Sequence, residues 1–336
     1  MDRRAFLSLS AIGALAPTAR AQAAGQLPAV TRYPDPAVRV LDPRFGKYRV
    51  GAAVVERLYT GCRWAEGPVY FPAGRYLLWS DIPNDRVMRW DETDGSVSVF
   101  EQPAWHPNGH TRDLQGRLVS CEHRGRRVSR TEHDGSRTVL ASHHEGRRLN
   151  SPNDVVVKSD GSVWFTDPTY GIDSDYEGDA AASEIGGSHV YRIDPDDGRL
   201  DAVVTDMSKP NGLAFSPDEQ WLYVVDTGIS HAPDGPRHIR RHRVQADGRR
   251  VGRGEVLATC SVGLFDGLRV DVDGNLWAGA GDGVHCLAPD GTLIGKIRVP
   301  EVVANVCFGG PKRNRLFICA TRSLYAVYLK TRGAAA

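Results

Sequence analysis

A short unit recurs six times along the 336 residues, and no other feature of the sequence limits the fold as much. Each copy opens on a polar residue, runs on as alternating apolar positions, turns, and returns as a second apolar run. The paired runs are 66–70 with 76–81, 108–110 with 118–122, 153–157 with 163–167, 211–215 with 221–226, 266–270 with 276–278 and 305–308 with 316–320. The opening residues stand 42, 45, 58, 55 and 39 positions apart, the spacing of propeller blades built from about four short strands each. Turn pairs such as Asp160-Gly161 and Asp273-Gly274 join the inner runs, because a tight hairpin turn needs residues that accept positive φ. A second set marks outer hairpins: Asp94-Gly95, Asp134-Gly135, Asp197-Gly198, Asp247-Gly248 and Asp290-Gly291. The sixth copy is one strand short, and the strand-like stretch 48–59 can supply it. The pattern therefore predicts an all-β, six-bladed β-propeller closed by an N-terminal strand over residues 48–330. Joining both ends of the chain in one blade removes an open sheet edge.

Composition agrees with many turns and little helix: 36 Gly and 20 Pro, with 41% hydrophobic and 25% charged residues. Lys plus Arg number 42 and Asp plus Glu 41, so the net charge is +1 and nothing in it points to nucleic acid or an anionic membrane as partner. No apolar run reaches the length of a membrane-crossing helix. The N-terminus, Asp2-Arg3-Arg4-Ala5-Phe6-Leu7, an apolar run to Ala16 and then Ala19-Arg20-Ala21, reads as a twin-arginine signal peptide over 1–21. It predicts a periplasmic or secreted protein, with 22–47 as an extended lead-in. Cys62, Cys121, Cys260, Cys286, Cys307 and Cys319 show no close Cys-x-x-Cys spacing, and four lie inside apolar runs. Buried free thiols are expected, not disulfides or a zinc site.

In a propeller the innermost strand of each blade lines a central channel, so the residue opening that strand lies at one mouth. The six openers are Glu66, Asn108, Asn153, Asn211, Asp266 and Asn305, all bearing side-chain oxygen. The next strand returns to the same face and ends on Asp81, Glu122, Asp167 or Asp226 in the first four blades. Such a face suits a hard divalent cation, which takes six to eight oxygen ligands. Calcium is the expected ion; Mg2+, Mn2+ and Zn2+ are alternatives, zinc disfavoured because no His or Cys opens a strand.

The segments Trp64-Ala65-Glu66-Gly67-Pro68, Leu149-Asn150-Ser151-Pro152-Asn153-Asp154, Phe165-Thr166-Asp167-Pro168, residues 209–218 from Lys209-Pro210-Asn211-Gly212, and Phe265-Asp266-Gly267-Leu268-Arg269 resemble the senescence marker protein and gluconolactonase (regucalcin-like) family, more closely its bacterial gluconolactonases. The resemblance spans about 48–328. It implies hydrolysis of a sugar lactone and one metal held by Glu66, Asn153, Asn211 and Asp266. Animal members carry Arg two residues before the third-blade Asn; this chain has Ser151, which leaves the exact lactone open.

Asp266 is the first candidate base for activating water and Asp226 the second. Asn108, His110, Glu122, His123, Asp167 and Asp226 are candidate substrate contacts. Some related propellers use a His pair as base, which draws attention to His106, His110 and His123. The acidic insert 173–188 is expected to touch the mouth, and the loop 228–233 to border it with His231 exposed. A metal-dependent esterase or phosphotriesterase, or a non-catalytic sugar-binding propeller, are the alternative readings.

Overall fold

The computed structural model describes residues 32–334. The expected twin-arginine segment lies outside them. Six antiparallel sheets form the blades, five of four strands and one of five. Blade 1 runs through Ala65–Phe71, Tyr76–Asp81, Arg86–Asp91 and Val97–Glu101; blade 2 through Pro107–Arg112, Leu118–Glu122, Arg127–Thr131 and Arg137–Ala141. Blade 3 runs through Val155–Val157, Val163–Asp167, Ser188–Ile193 and Leu200–Met207; blade 4 through Pro210–Phe215, Trp221–Asp226, His238–Arg243 and Glu255–Thr259. Blade 5 holds Leu268–Val270, Leu276–Ala280, Gly283–Leu287 and Leu293–Ile297; blade 6 holds Val303–Gly309, Arg315–Ala320 and Ser323–Tyr328. Glu56–Thr60 pairs with Ser323–Tyr328 and completes blade 6, the closure expected from the missing sixth outer strand.

Alternation explains which faces pack. Within the sheets the apolar positions meet their neighbours in adjoining blades, and Trp79, Trp164 and Trp277 are fully buried there. All six cysteines are free and buried, as small apolar side chains of these strands. One part of the lead-in is more ordered than expected. Val38–Val40 adds a fifth strand to blade 5 against Leu293–Ile297, and the 3-10 turn Pro43–Tyr48 follows. Phe45 of that turn is fully buried 5.8 Å from the Trp277 ring, so the segment caps a sheet edge and contributes to the core. No helix among the described residues is long and apolar enough to cross a membrane.

Candidate active site

The openers come together because the inner strands approach very closely. Gly67, at φ +54°, has no room for a side chain: a Cβ there would lie 1.9 Å from the carbonyl oxygen of Asn108. The Gly109 N–H donates to the Asn153 carbonyl at 2.7 Å, and the Gly267 N–H to the Ala304 carbonyl at 2.7 Å. Neighbouring blades are thus stitched together directly behind the openers. Glu66 Oε2 accepts from Asn305 Nδ2 at 3.0 Å and from the Gly67 N–H at 2.6 Å. The Asn211 amide favours the charged form of Asp266. Glu66, Asn108, Asn153, Asn211 and Asn305 are buried, whereas Asp266 keeps part of its surface open at the mouth.

Electrostatics mark this mouth as a place for positive charge. Burial, opposed by the Gly67 and Asn305 donors and reinforced by Asp154 and Glu177, pushes the Glu66 carboxyl up to about 8. Burial and then the Glu66 and Glu177 charges push Asp266 well above the ordinary range. Burial and the nearby Asp173 push Glu177 up to about 7. Asp154 has its own counter-ion, Arg269, at 2.9 Å. Among the described residues no Lys or Arg pairs with Glu66, Asp266 or Glu177. Crowded carboxyls without a cation are the arrangement that a bound metal relieves.

The donor set fits a hard cation. No three His, Cys, Asp or Glu side chains cluster as a metal site among the described residues; the ring here has two acids, and the other members are amides. One amide oxygen is orphaned. His123 Nδ1 meets the Glu177 carbonyl at 3.2 Å, so this nitrogen must carry the proton, and Nε2 must accept from Asn108 Nδ2 at 3.1 Å. That fixes the Asn108 amide with Oδ1 turned away, buried and without a partner. Burial holds His123 neutral, its pKa down to about 4. Glu66, Asn153, Asn211 and Asp266 are the residues that would hold a divalent ion, with Asn108 Oδ1 free for it or for a hydroxyl.

Glu177 and Tyr170 escaped the sequence reading. Both follow the second strand of blade 3, and the acidic insert was their only signal. The insert folds back over the mouth: Asp173 takes hydrogen bonds from Thr169 at 2.7 Å and Lys209 at 3.3 Å and meets His231 at 2.9 Å, while Arg124 holds Asp179 at 3.0 Å. Tyr170 meets Thr227 at 2.5 Å and Ser230 at 2.9 Å and feels the Asp266 charge. Ser151, standing where animal relatives carry Arg, donates to the Pro168 carbonyl at 2.7 Å and accepts from the Gly171 N–H at 2.9 Å. Gly171 packs so tightly that a Cβ would lie 2.4 Å from the Cβ of His123. The segment 168–171 thus packs directly against the side chain at 151.

Four expected substrate contacts are held, in whole or in part, by the protein itself. Glu122 is fully buried and held by Arg127 at 2.5 Å, Arg137 at 2.9 Å and the Ser129 hydroxyl. Asp167 Oδ2 accepts from the Asn150 N–H at 2.9 Å, while its buried Oδ1 has no partner. Asp226 accepts from the backbone N–H groups of Ser208 at 3.0 Å, Lys209 at 2.9 Å and Gly228 at 3.2 Å, which also removes it as second candidate base. His110 lies lower in the channel wall, its two ring nitrogens against Ser80 at 2.9 Å and Ser120 at 2.8 Å. Burial holds His110 neutral, its pKa down to about 3, so it is no base near neutrality. His106 is buried outside this hydrogen-bonded set, and His231 is exposed on the loop bound to Asp173.

A propeller with an oxygen-lined channel mouth under an acidic lid is the class that fold and site define. The chain belongs to the SMP-30/gluconolactonase/LRE-like family, whose model matches residues 64–322. It is 33% identical over 302 residues to a gluconolactonase of Zymomonas mobilis, covering 83% of this chain and 82% of that protein. It is 30% identical over 268 residues to a pentonolactonase of Haloferax volcanii, covering 77% and 82%. The solved structure of a gluconolactonase from Xanthomonas campestris superposes with a TM-score of 0.81 at 37% identity, covering 87% of this chain and 94% of that one.

Proposed function

We propose that this chain hydrolyses a sugar lactone to the aldonic acid at the mouth ringed by Glu66, Asn108, Asn153, Asn211 and Asp266, with one resident divalent cation, calcium before others. The observation that carries the reading is the pair of ring acids, Glu66 and Asp266, raised by burial and by each other's neighbourhood without a cationic partner, beside an unclaimed amide oxygen. The names of the lactonases it is similar to support the substrate class.

When bound, such an ion supplies Lewis acidity that polarises a carbonyl. Asp266, the acid of the ring with surface open at the mouth, takes the proton as water adds to the lactone carbonyl carbon. The ring C–O bond then breaks, and the departing oxygen takes a proton back. Asn108 Oδ1 accepts a substrate hydroxyl, and His123 orients that amide by accepting from its Nδ2. The insert bearing Glu177 limits bulk water. The N-terminal twin-arginine segment supports export to the periplasm as part of the same reading.

Purified protein assayed on gluconolactone, p-nitrophenyl acetate and a phosphotriester, with and without chelator, tests this. Lactone cleavage lost on chelation and restored by calcium is expected. Cleavage of esters or phosphotriesters alone would favour the other hydrolase. Sugar binding with no turnover in the calcium-loaded protein would favour a binding propeller.

A further inference from the structure

The central channel has a second end, which the lactone reading leaves unused. Below the openers all six inner strands enclose a separate cavity of about 280 Å3. The Asp154–Arg269 pair crosses the channel from blade 3 to blade 5, with Arg269 lining the cavity.

Its charges do not balance. Asp113 is paired with Arg117 at 2.6 Å, Glu219 with Lys158 at 3.1 Å, and Arg269 with Asp154. His110 and Cys307, also in the wall, are both uncharged: burial lowers the imidazole and raises the thiol up to about 12. Two guanidiniums remain. Among the described residues Arg112 makes no hydrogen bond and no ion pair, and burial pulls its pKa below the ordinary value. Among the described residues the Arg313 side chain reaches only the Ala334 carbonyl, at 3.5 Å. The planar fork of a guanidinium matches a carboxylate. The wall is about evenly polar and apolar, and its apolar part includes Leu114, Phe215 and Phe308.

We propose that this far end of the channel binds a small organic acid, its carboxylate on Arg112 and Arg313 and its apolar body against Leu114, Phe215 and Phe308. The site is independent of the lactone reading, because none of these residues belongs to the mouth. A ligand that binds only the folded protein raises its Tm with concentration.

The test titrates the full chain with benzoate, acetate and inorganic phosphate, reading Tm and heat of binding, alongside lactone turnover. Benzoate is expected to raise Tm saturably and to bind more tightly than acetate or phosphate. R112M should weaken benzoate by about tenfold or more, the loss of a charge-assisted hydrogen bond, with turnover unchanged. R313Q should weaken it in the same direction. Benzoate binding equally to wild type and to both variants would overturn the proposal, as would no binding to wild type. Phosphate or acetate binding as well as benzoate would overturn the apolar half.

Discussion

Two sets of polar residues share one face of this propeller and do opposite things. Glu66, Asn108, Asn153, Asn211, Asp266 and Asn305 open the inner strands; Asp81, Glu122, Asp167 and Asp226 end the second strands. The closing aspartates accept from backbone N–H groups 17 or 18 residues earlier: Asp81 from Arg63 at 2.8 Å, Asp167 from Asn150, Asp226 from Ser208 and Lys209. They tie down the loop that leads into each inner strand. Glu122, one methylene longer, instead reaches outward to Arg127 and Arg137. The openers face the channel, and Asn108 keeps a bare oxygen there. Residue type and register alone do not separate a functional carboxylate from a structural one. What separates them is the surroundings of the oxygens: loop N–H groups at Asp81 and Asp226, arginines at Glu122, and no cation beside the crowded Glu66 and Asp266.

Exchanging one acid from each set breaks the comparison most directly. Asp266→Asn should cost about 10²- to 10⁴-fold in kcat, the usual contribution of a positioned base, with little change in Tm. Asp226→Asn should do the reverse: weaken one of three backbone hydrogen bonds, lower stability by about 1–3 kcal/mol in urea unfolding, and leave kcat within severalfold. If Asp226→Asn silenced the enzyme at unchanged stability, the division between the two rings would be wrong.

The ring of blades was legible because a period-two pattern with Asp-Gly turns survives in one dimension. Even the strand borrowed from Glu56–Thr60 followed from counting turns. The openers were legible for the same reason, since the first residue of an inner strand has little choice of where to sit. Side-chain direction was not. Whether Asp226 faces water or the Lys209 amide depends on the loop 208–209, which carries no period. The insert was harder still. Its acidity was visible, but that Glu177 and not Asp175 comes to the mouth depends on loop closure, such as the Ala181 N–H to Ile172 carbonyl bond of 3.0 Å.

A smaller effect separates the two histidines' surroundings from the carboxylates above them. His110 is buried and neutral with its pKa near 3. An unfolded His takes up a proton near pH 6.5, so below that pH the unfolded chain binds more protons than the folded one. Stability therefore falls as pH drops from about 6.5 toward 3, by about 2 kcal/mol at pH 5 from this residue. His110→Gln should flatten that acid limb whatever it does at pH 7, as urea midpoints at the two pH values would show. An unchanged slope would mean that His110 is already charged in the fold.

Glu177 should give the smallest effect, and it tests how far the lid shares in the mouth. Its backbone carbonyl accepts the hydrogen bond from His123 Nδ1–H, so Glu177→Gln leaves the bond that fixes Asn108 in place. Only the third carboxyl over Glu66 and Asp266 is lost. If its role is to hold a substrate hydroxyl, KM should rise about two- to tenfold, the worth of one hydrogen bond, while kcat stays close to wild type. If it is a structural acid like Asp226, Tm should fall and KM should not move. A loss of kcat as large as that of Asp266→Asn would place Glu177 among the reacting groups, and the channel mouth would then have to be redrawn with a seventh member supplied by the insert.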